Sequence, residues 1–431
     1  MSEVVEQEMS AFEARTIIEA LRRGTVPMEQ VSRFSVGRER WLKFIVDDLS
    51  QYVASGGSKV RFINGDYGDG KTHFMSVVRH LALAQGFAVG FVVLSQDLPL
   101  HKFEVVYQGL TRSLQVPGLA GTGMAAILSG WVASQEASWR GEEGGEASWV
   151  ALGEELRGLD GMDASFANAL LAYAKLSLSE PADEEGQEAR RASLATLVRW
   201  FEGARLPRRD LKPLDIFECV DKTNGRRFLA ALIAFVRKLG CHGLVWLFDE
   251  LEIVMGMRAA ARSGAFESVR SLIDNADQTG HLHIFFSIIP DVILTEKGFR
   301  SYDALWSRVR NLGDEARLNY RGVLIDLHRT PLTRAELVDL GGRLRRMHEW
   351  AYRWSAGDAV DDAVITEMCV QQERMGVMSE VRLFIRQLIR ALDMAEQGQA
   401  LGQEELSANL MAAQSELEQE RATALAPRWD T

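Results

Sequence analysis

The sequence predicts an α/β fold: a parallel β-sheet flanked by helices, interrupted by a helical insertion and followed by a C-terminal helical lid. Three observations predict it. Short apolar stretches alternate with amphipathic helical stretches between Val60 and Leu327. One of them, residues 60–63, runs directly into Gly65-Asp-Tyr-Gly-Asp-Gly-Lys-Thr72. Another, residues 244–248, ends on two adjacent carboxylates, Asp249 and Glu250. Short apolar runs between helices are what a sheet covered on both faces requires.

Taken in order, residues 11–23 carry apolar side chains at helical spacing (Phe12, Ile17, Ile18, Leu21) and stop at Gly24 and Pro27. A second amphipathic helix is expected over 41–53, then a Gly-Gly-Ser turn and a strand at 60–63. Helix 72–85, strand 88–94 and helix 101–114 follow. Helix 226–239, strand 244–248, helix 265–276, strand 283–289 and strand 323–327 complete the alternation. Residues 118–213 hold no convincing strand. They read as a helical insertion, with helices at 166–178 and 192–201 and loops at the acidic segments 142–146 and 180–188. Beyond 330 the pattern is helical throughout, at 333–348, 361–374 and 379–395. The expected organisation is an N-terminal helical segment (1–35), a nucleotide-binding core (36–330, including the insertion 118–213), a lid (331–394) and an acidic helical tail (395–431). A solvated tail helix is favoured over a partner-binding one.

Residues 65–72 match the phosphate-loop pattern GxxxxGK[ST], with a strand before them and a helix after. Glycines Gly65, Gly68 and Gly70 let the backbone fold around phosphates, and Asp66, Tyr67 and Asp69 present N–H groups inward. The following helix start, through His73, adds its positive dipole end. Lys71 supplies a cation for the β/γ-phosphates, and the Thr72 hydroxyl can reach Mg²⁺. In a parallel sheet, ligands bind at the C-terminal strand ends, where Asp249 and Glu250 stand. Asp249 then serves the Mg²⁺ shell and Glu250 polarises an attacking water. ATP and Mg²⁺ are the expected ligands, and ATP hydrolysis the expected reaction.

The Asp-Glu pair resembles the P-loop hydrolases of the AAA+ or STAND kind. Small-molecule P-loop kinases generally lack that glutamate, and no NKxD guanine-reading motif is present. The resemblance implies further roles. Ser287, in the strand at 283–289, is a candidate contact to the γ-phosphate or water, or simply a serine tolerated in a buried strand. Arg308, with Arg310 as second choice, occupies the arginine-finger position, or belongs to a basic surface turn. Arg382 fits the second sensor arginine of a lid helix, with Arg386 one turn on; a solvated arginine is the alternative. Val36-Gly37-Arg38-Glu39 is similar to the segment flanking adenine.

The order of these pieces resembles the ATP-binding protein family of BREX phage-defence systems, the BrxC/BrxD type, and is closest to BrxD-like members. The pieces are Val36–Glu39, the phosphate loop through Phe74, a long helical insertion, Phe248-Asp-Glu-Leu-Glu252, Lys297-Gly-Phe-Arg-Ser-Tyr302 and a short lid. The resemblance runs from about Ala11 to about Asp393. It implies an AAA+-like ATPase acting with other defence proteins, a helicase among them, on DNA. It leaves room for a homo-oligomer and for DNA contact through phosphates.

Composition sets limits. The chain has 431 residues, 47% hydrophobic and 25% charged, with a net charge of −11. That charge argues against wholesale wrapping of nucleic acid, although basic strips such as Arg205–Lys212 remain. Cys219, Cys241 and Cys369 form no CxxC pair, and no HExxH is present. His281 and His283 read as strand side chains. The acidic N-terminus lacks a signal pattern, and no apolar run approaches the ~20 residues of a membrane span. A cytoplasmic protein is expected.

Overall fold

The computed structural model describes residues 9–139, 146–309, 318–357, 359–399 and 402–425. Among the described residues, the alternation of strand and helix becomes a five-stranded, wholly parallel sheet. β1 (Ser58–Asn64), β2 (Ala88–Val93), β3 (Leu244–Asp249), β4 (Leu282–Ile288) and β5 (Leu324–Asp326) lie in the order β2-β3-β4-β1-β5. β1 is nearly fully buried and β3 and β4 fully so, as expected of apolar strands covered by helices on both faces. β4 therefore stands between the strand that feeds the phosphate loop and the strand that ends in Asp249.

Helices α1 (Ala11–Arg22), α2 (Val31–Phe34) and α3 (Glu39–Asp47) precede the sheet. α3 continues as a π-turn, Asp48–Val53, which turns Asp48 toward Lys59 (2.8 Å) and the buried Arg61 of β1. α4 (Lys71–Ala84) follows the phosphate loop, and α5 (Phe103–Ser113) follows β2. The insertion is built from α6 (Met124–Trp139), α7 (Glu146–Gly158), α8 (Ala164–Leu178), α9 (Glu184–Phe201) and the short α10 (Arg208–Leu211). Phe166, Trp200 and Phe201 pack edge-on or tilted against one another and against Phe228 and Phe235 of α11 (Gly225–Lys238), so these helices extend the core of the sheet. Of the acidic segment 142–146, residues 142–145 lie outside the described residues, and Glu146 already opens α7. The other acidic segment is not a loop throughout, because α9 already begins at Glu184. Asp183 accepts a hydrogen bond from Gly186 N, and Glu184 and Glu185 occupy the first turn, where the helix dipole favours negative charge.

α12 (Ala259–Thr279) follows β3, starting well before the expected 265. α13 (Pro290–Leu294) and α14 (Asp303–Val309) connect β4 to β5. Between them, Gly298 sits where a Cβ would come within 2.1 Å of the Val292 carbonyl. That close approach lets Phe299 bury against Phe62 and Phe266, which explains why a glycine precedes an aromatic there.

The C-terminal helical region, expected to act as a lid, consists of α15 (Arg334–Tyr352), α16 (Asp362–Arg374) and α17 (Val381–Glu396). It shares one apolar cluster with α1 and α2: Ile17, Ile18 and Phe34 pack with Leu337, Leu344, Phe384 and Leu388. A polar seam crosses the same junction. Arg22 Nη2 donates to Asp393 (2.6 Å), His348 Nε2 lies 3.0 Å from the same carboxylate, and Tyr352 donates to Glu19 (2.9 Å). α18 (Gln403–Leu425) is not solvated on all sides, since Leu406, Leu410, Ala413 and Leu417 are buried. Among the described residues no helix is long and apolar enough to cross a membrane.

Burial works against the Asp393 charge, but His348 and Arg22 outweigh it and hold the carboxyl below its ordinary range. A depressed carboxylate stabilises the fold fully above its unfolded pKa, and that contribution is lost as pH falls through the folded value. Asp393→Asn should therefore flatten the acid limb of stability below about pH 4, the ordinary carboxylate range. Urea unfolding followed at several pH values, with wild type losing more stability than the variant on acidification, checks this.

Candidate nucleotide site

The backbone of the phosphate loop bends where its glycines permit. Gly68 and Gly70 have φ of +97° and +89°, and Gly70 caps α4 in the left-handed conformation. The loop is stapled from below. Asp69 Oδ2 accepts from Asp66 N (2.8 Å) and lies 3.2 Å from His328 Nδ1, just past β5. Burial pushes the Asp69 carboxyl up, and these two contacts oppose the shift. Asp66, Asp69 and His328 bring potential ligand atoms within 4.8 Å of one another, but here they tie the loop to β5. Nothing in the sequence marked His328 for this part.

Lys71 is buried. Its ammonium donates to the carbonyls of Gly65 (2.9 Å) and Asp66 (3.3 Å), lies 3.6 Å from Glu252 Oε1 and faces the Tyr67 ring at 5.1 Å. Burial raises the Glu252 carboxyl, while Lys71 pulls it the other way. Burial also pushes the Tyr67 phenol up to about 12, with Glu252 and Glu250 adding to it. Glu252 carried only a minor claim in the sequence, as a second carboxylate after Glu250; the short 3₁₀ turn Leu251–Gly256 brings it to the lysine.

At the end of β3, Asp249 is shared. Its Oδ2 accepts from the Thr72 hydroxyl (2.7 Å), and its Oδ1 accepts from the Ser287 hydroxyl and from Glu250 N (3.1 Å). Glu250 N also donates to Ser287 Oγ at 2.8 Å. Ser287 is fully buried in β4, so its hydroxyl positions Asp249 and the Glu250 backbone; the structure does not turn it toward the cavity. Glu250 is exposed and left-handed (φ +63°), a conformation that costs a residue with a Cβ about 1–3 kcal/mol. The two hydrogen bonds to its N–H help to hold it there.

A cavity of about 390 Å³ opens from this polar end, within the range of ligand clefts. The phosphate loop, Asp249, Glu250 and Glu252 line one side. Phe34, Val36, Val77, Leu332 and Ile385 give the other an apolar wall. Val36, Gly37 and His73 all face it. His73 Nε2 lies 2.9 Å from Ser35 Oγ, and burial lowers this imidazole to about 4, so it is neutral at pH 7. Gly37 is left-handed at +68°, as is Arg38, whose guanidinium donates to the Leu327 carbonyl (3.2 Å) and Thr330 (3.1 Å). The lid joins directly: Arg382 lines the cavity, and its backbone N–H donates to the Gly68 carbonyl at 3.2 Å.

These residues fit a magnesium nucleotide. Neighbouring oxygens on octahedral Mg²⁺ stand about 2.9 Å apart, and Thr72 Oγ1 and Asp249 Oδ2 are already 2.7 Å apart. The loop carbonyls that hold Lys71 are weak partners beside phosphate oxygens.

Arg308 is not brought into this site. It pairs with Asp274 of α12 and borders a small pocket with Ser58, Lys59 and Val60, at the start of β1. β1 spans about 20 Å between that pocket and the phosphate loop. Sequence order placed Arg308 ahead of the last strand but could not say which end of the sheet it would occupy. Arg310 lies outside the described residues.

A family model described as "BREX system ATP-binding protein BrxC/D" matches residues 9–410. No curated protein and no solved structure matches the chain.

Ser287→Ala should weaken Mg²⁺-dependent nucleotide affinity about tenfold, the usual cost of removing a residue that orients a metal ligand. Calorimetric titration with ATP, with and without Mg²⁺, should show the loss only in the presence of the metal.

Proposed function

The chain belongs to the BREX system BrxC/D family of ATP-binding proteins, and from that premise we propose that it binds ATP with Mg²⁺ in the cavity between sheet and lid and hydrolyses it. The observation that carries this reading is the convergence of Lys71, Thr72, Asp249 and Glu250 on one end of the parallel sheet, with Thr72 and Asp249 in contact. Lys71 would exchange its loop carbonyls for β/γ-phosphate oxygens. Thr72 and Asp249 would hold the Mg²⁺, which neutralises charge on the phosphates. Glu250 would accept a proton from the attacking water, and Ser287 would keep its backbone in register. Arg382 would report the γ-phosphate to the lid, and the neutral His73 and its apolar neighbours would receive the base.

Family membership implies association with other defence proteins. A BrxD-like component working beside a helicase, with ATP turnover coupled to DNA, is the finer reading. The position of Arg308 supports a homo-oligomer in which that residue serves a neighbouring subunit's nucleotide, since it stands at the opposite end of β1 from its own. One observation favours a second reading, a STAND-type switch with little turnover. Among the described residues, the only arginines lining the cavity are Arg38 and Arg382, and Arg38 is committed to the Leu327 carbonyl and Thr330.

Steady-state hydrolysis tests the enzyme reading. Lys71→Ala should abolish ATP binding, whereas Glu250→Gln should bind ATP and turn it over at least ~100-fold more slowly than wild type. A wild type that binds ATP without hydrolysing it, with or without duplex DNA, supports the switch.

Mixing experiments test Arg308. If it acts across a subunit boundary, Arg308→Ala chains should suppress wild-type ATPase more than in proportion to their fraction. A linear decline points to a self-contained subunit.

A further inference from the structure

The C-terminal helix α18 packs on the lid helix α17 through Leu410, Ala413 and Leu417, which share a small apolar cluster with Leu383 and Val377. Polar contacts fix the helix in rotation. Glu416 pairs with Arg390 (2.6 Å) and lies 3.8 Å from Arg386. The Arg386 guanidinium in turn lies against Gly24, where an added Cβ would meet Nη2 at 2.6 Å. Gly24 is itself part of the cavity wall, and so is Leu417. A helix from the far end of the chain thus sets one apolar side chain into the cavity that holds Lys71. It is anchored one residue earlier by a carboxylate between two arginines of the lid. Residues 416 and 417 lie beyond the part of the chain that the family match covers.

We propose that α18 forms part of the nucleotide site, with Leu417 as a wall that retains the bound nucleotide and the Glu416–Arg390 pair as the anchor that seats it. The inference rests on the ATP-site reading above. Docked, Leu417 keeps water from the adjoining apolar wall of α17 and the Gly24–Val26 turn. Displaced, it opens a path past α17 for the nucleotide to leave. A polar side chain at 417 must bring water into that wall. An arginine at 416 faces Arg386 and Arg390 and drives α18 off the lid.

The test uses the full-length protein and the dissociation of N-methylanthraniloyl-ATP, chased with excess ATP in stopped flow. Leu417→Asp and Glu416→Arg should each release the probe about fivefold to tenfold faster than wild type, the range expected when roughly 1 kcal/mol of contact is removed. The double variant Arg390→Glu/Glu416→Arg, which restores an opposite pair, should return toward the wild-type rate. Probe binding by wild type that is lost in Lys71→Ala, together with unchanged release from Leu417→Asp and Glu416→Arg, overturns the role of α18 and leaves the ATP site standing. Probe binding that survives Lys71→Ala overturns the site and this inference with it.

Discussion

One buried carboxylate holds the polar edge of the sheet together. Asp249 is 2% exposed and accepts from three separate elements: Thr72 at the start of α4, Ser287 in β4 and the backbone of Glu250. A carboxyl group so far from water is tolerable only because these donors satisfy its oxygens. The same three contacts fix how far the phosphate loop stands from β3 and in what attitude the next carboxylate leaves the strand. The intervening strand β4 is what makes the arrangement work. It separates β1 from β3 widely enough for a ligand, and it offers a hydroxyl at the height of Asp249.

The sheet and the polar half of the site were legible in the chain, because both rest on short-range patterns. Apolar runs of strand length, glycines where φ must be positive and a Lys-Thr pair opening a helix each say locally what they do. The other half was not legible, for physical reasons. Glu252 reaches Lys71 only because a 3₁₀ turn follows Glu250. His328 and Asp69 meet across 259 positions, a pairing that no periodicity encodes. The acid-rich segment before Ala192 reads as a solvated loop by charge, yet acids in a first turn with an aspartate cap favour a helix. Arg308 shows the opposite limit: its place in sequence order is family-like, but which end of a strand it borders is a matter of three dimensions.

The cavity lies between two packed bodies. One is the sheet with its flanking helices; the other joins α1, α2 and the lid in a single apolar cluster. Their meeting at the Gly68 carbonyl and the Arg382 N–H couples loop conformation to lid position through one backbone contact. On the proposed ATP reading, phosphate bound in the loop would act on the lid through that contact.

The union of α1 with the lid has a consequence for biosynthesis. Arg22 and Asp393 are 371 positions apart, and at typical elongation rates that interval takes on the order of 20–70 s. During it, the apolar face of α1, with Ile17 and Ile18, has no lid to pack against. The sheet can form as its strands emerge, but the chamber beside it stays open on one side until α15–α17 leave the ribosome. An unfinished chain could therefore hold an intact phosphate loop and still lack the wall that completes the site.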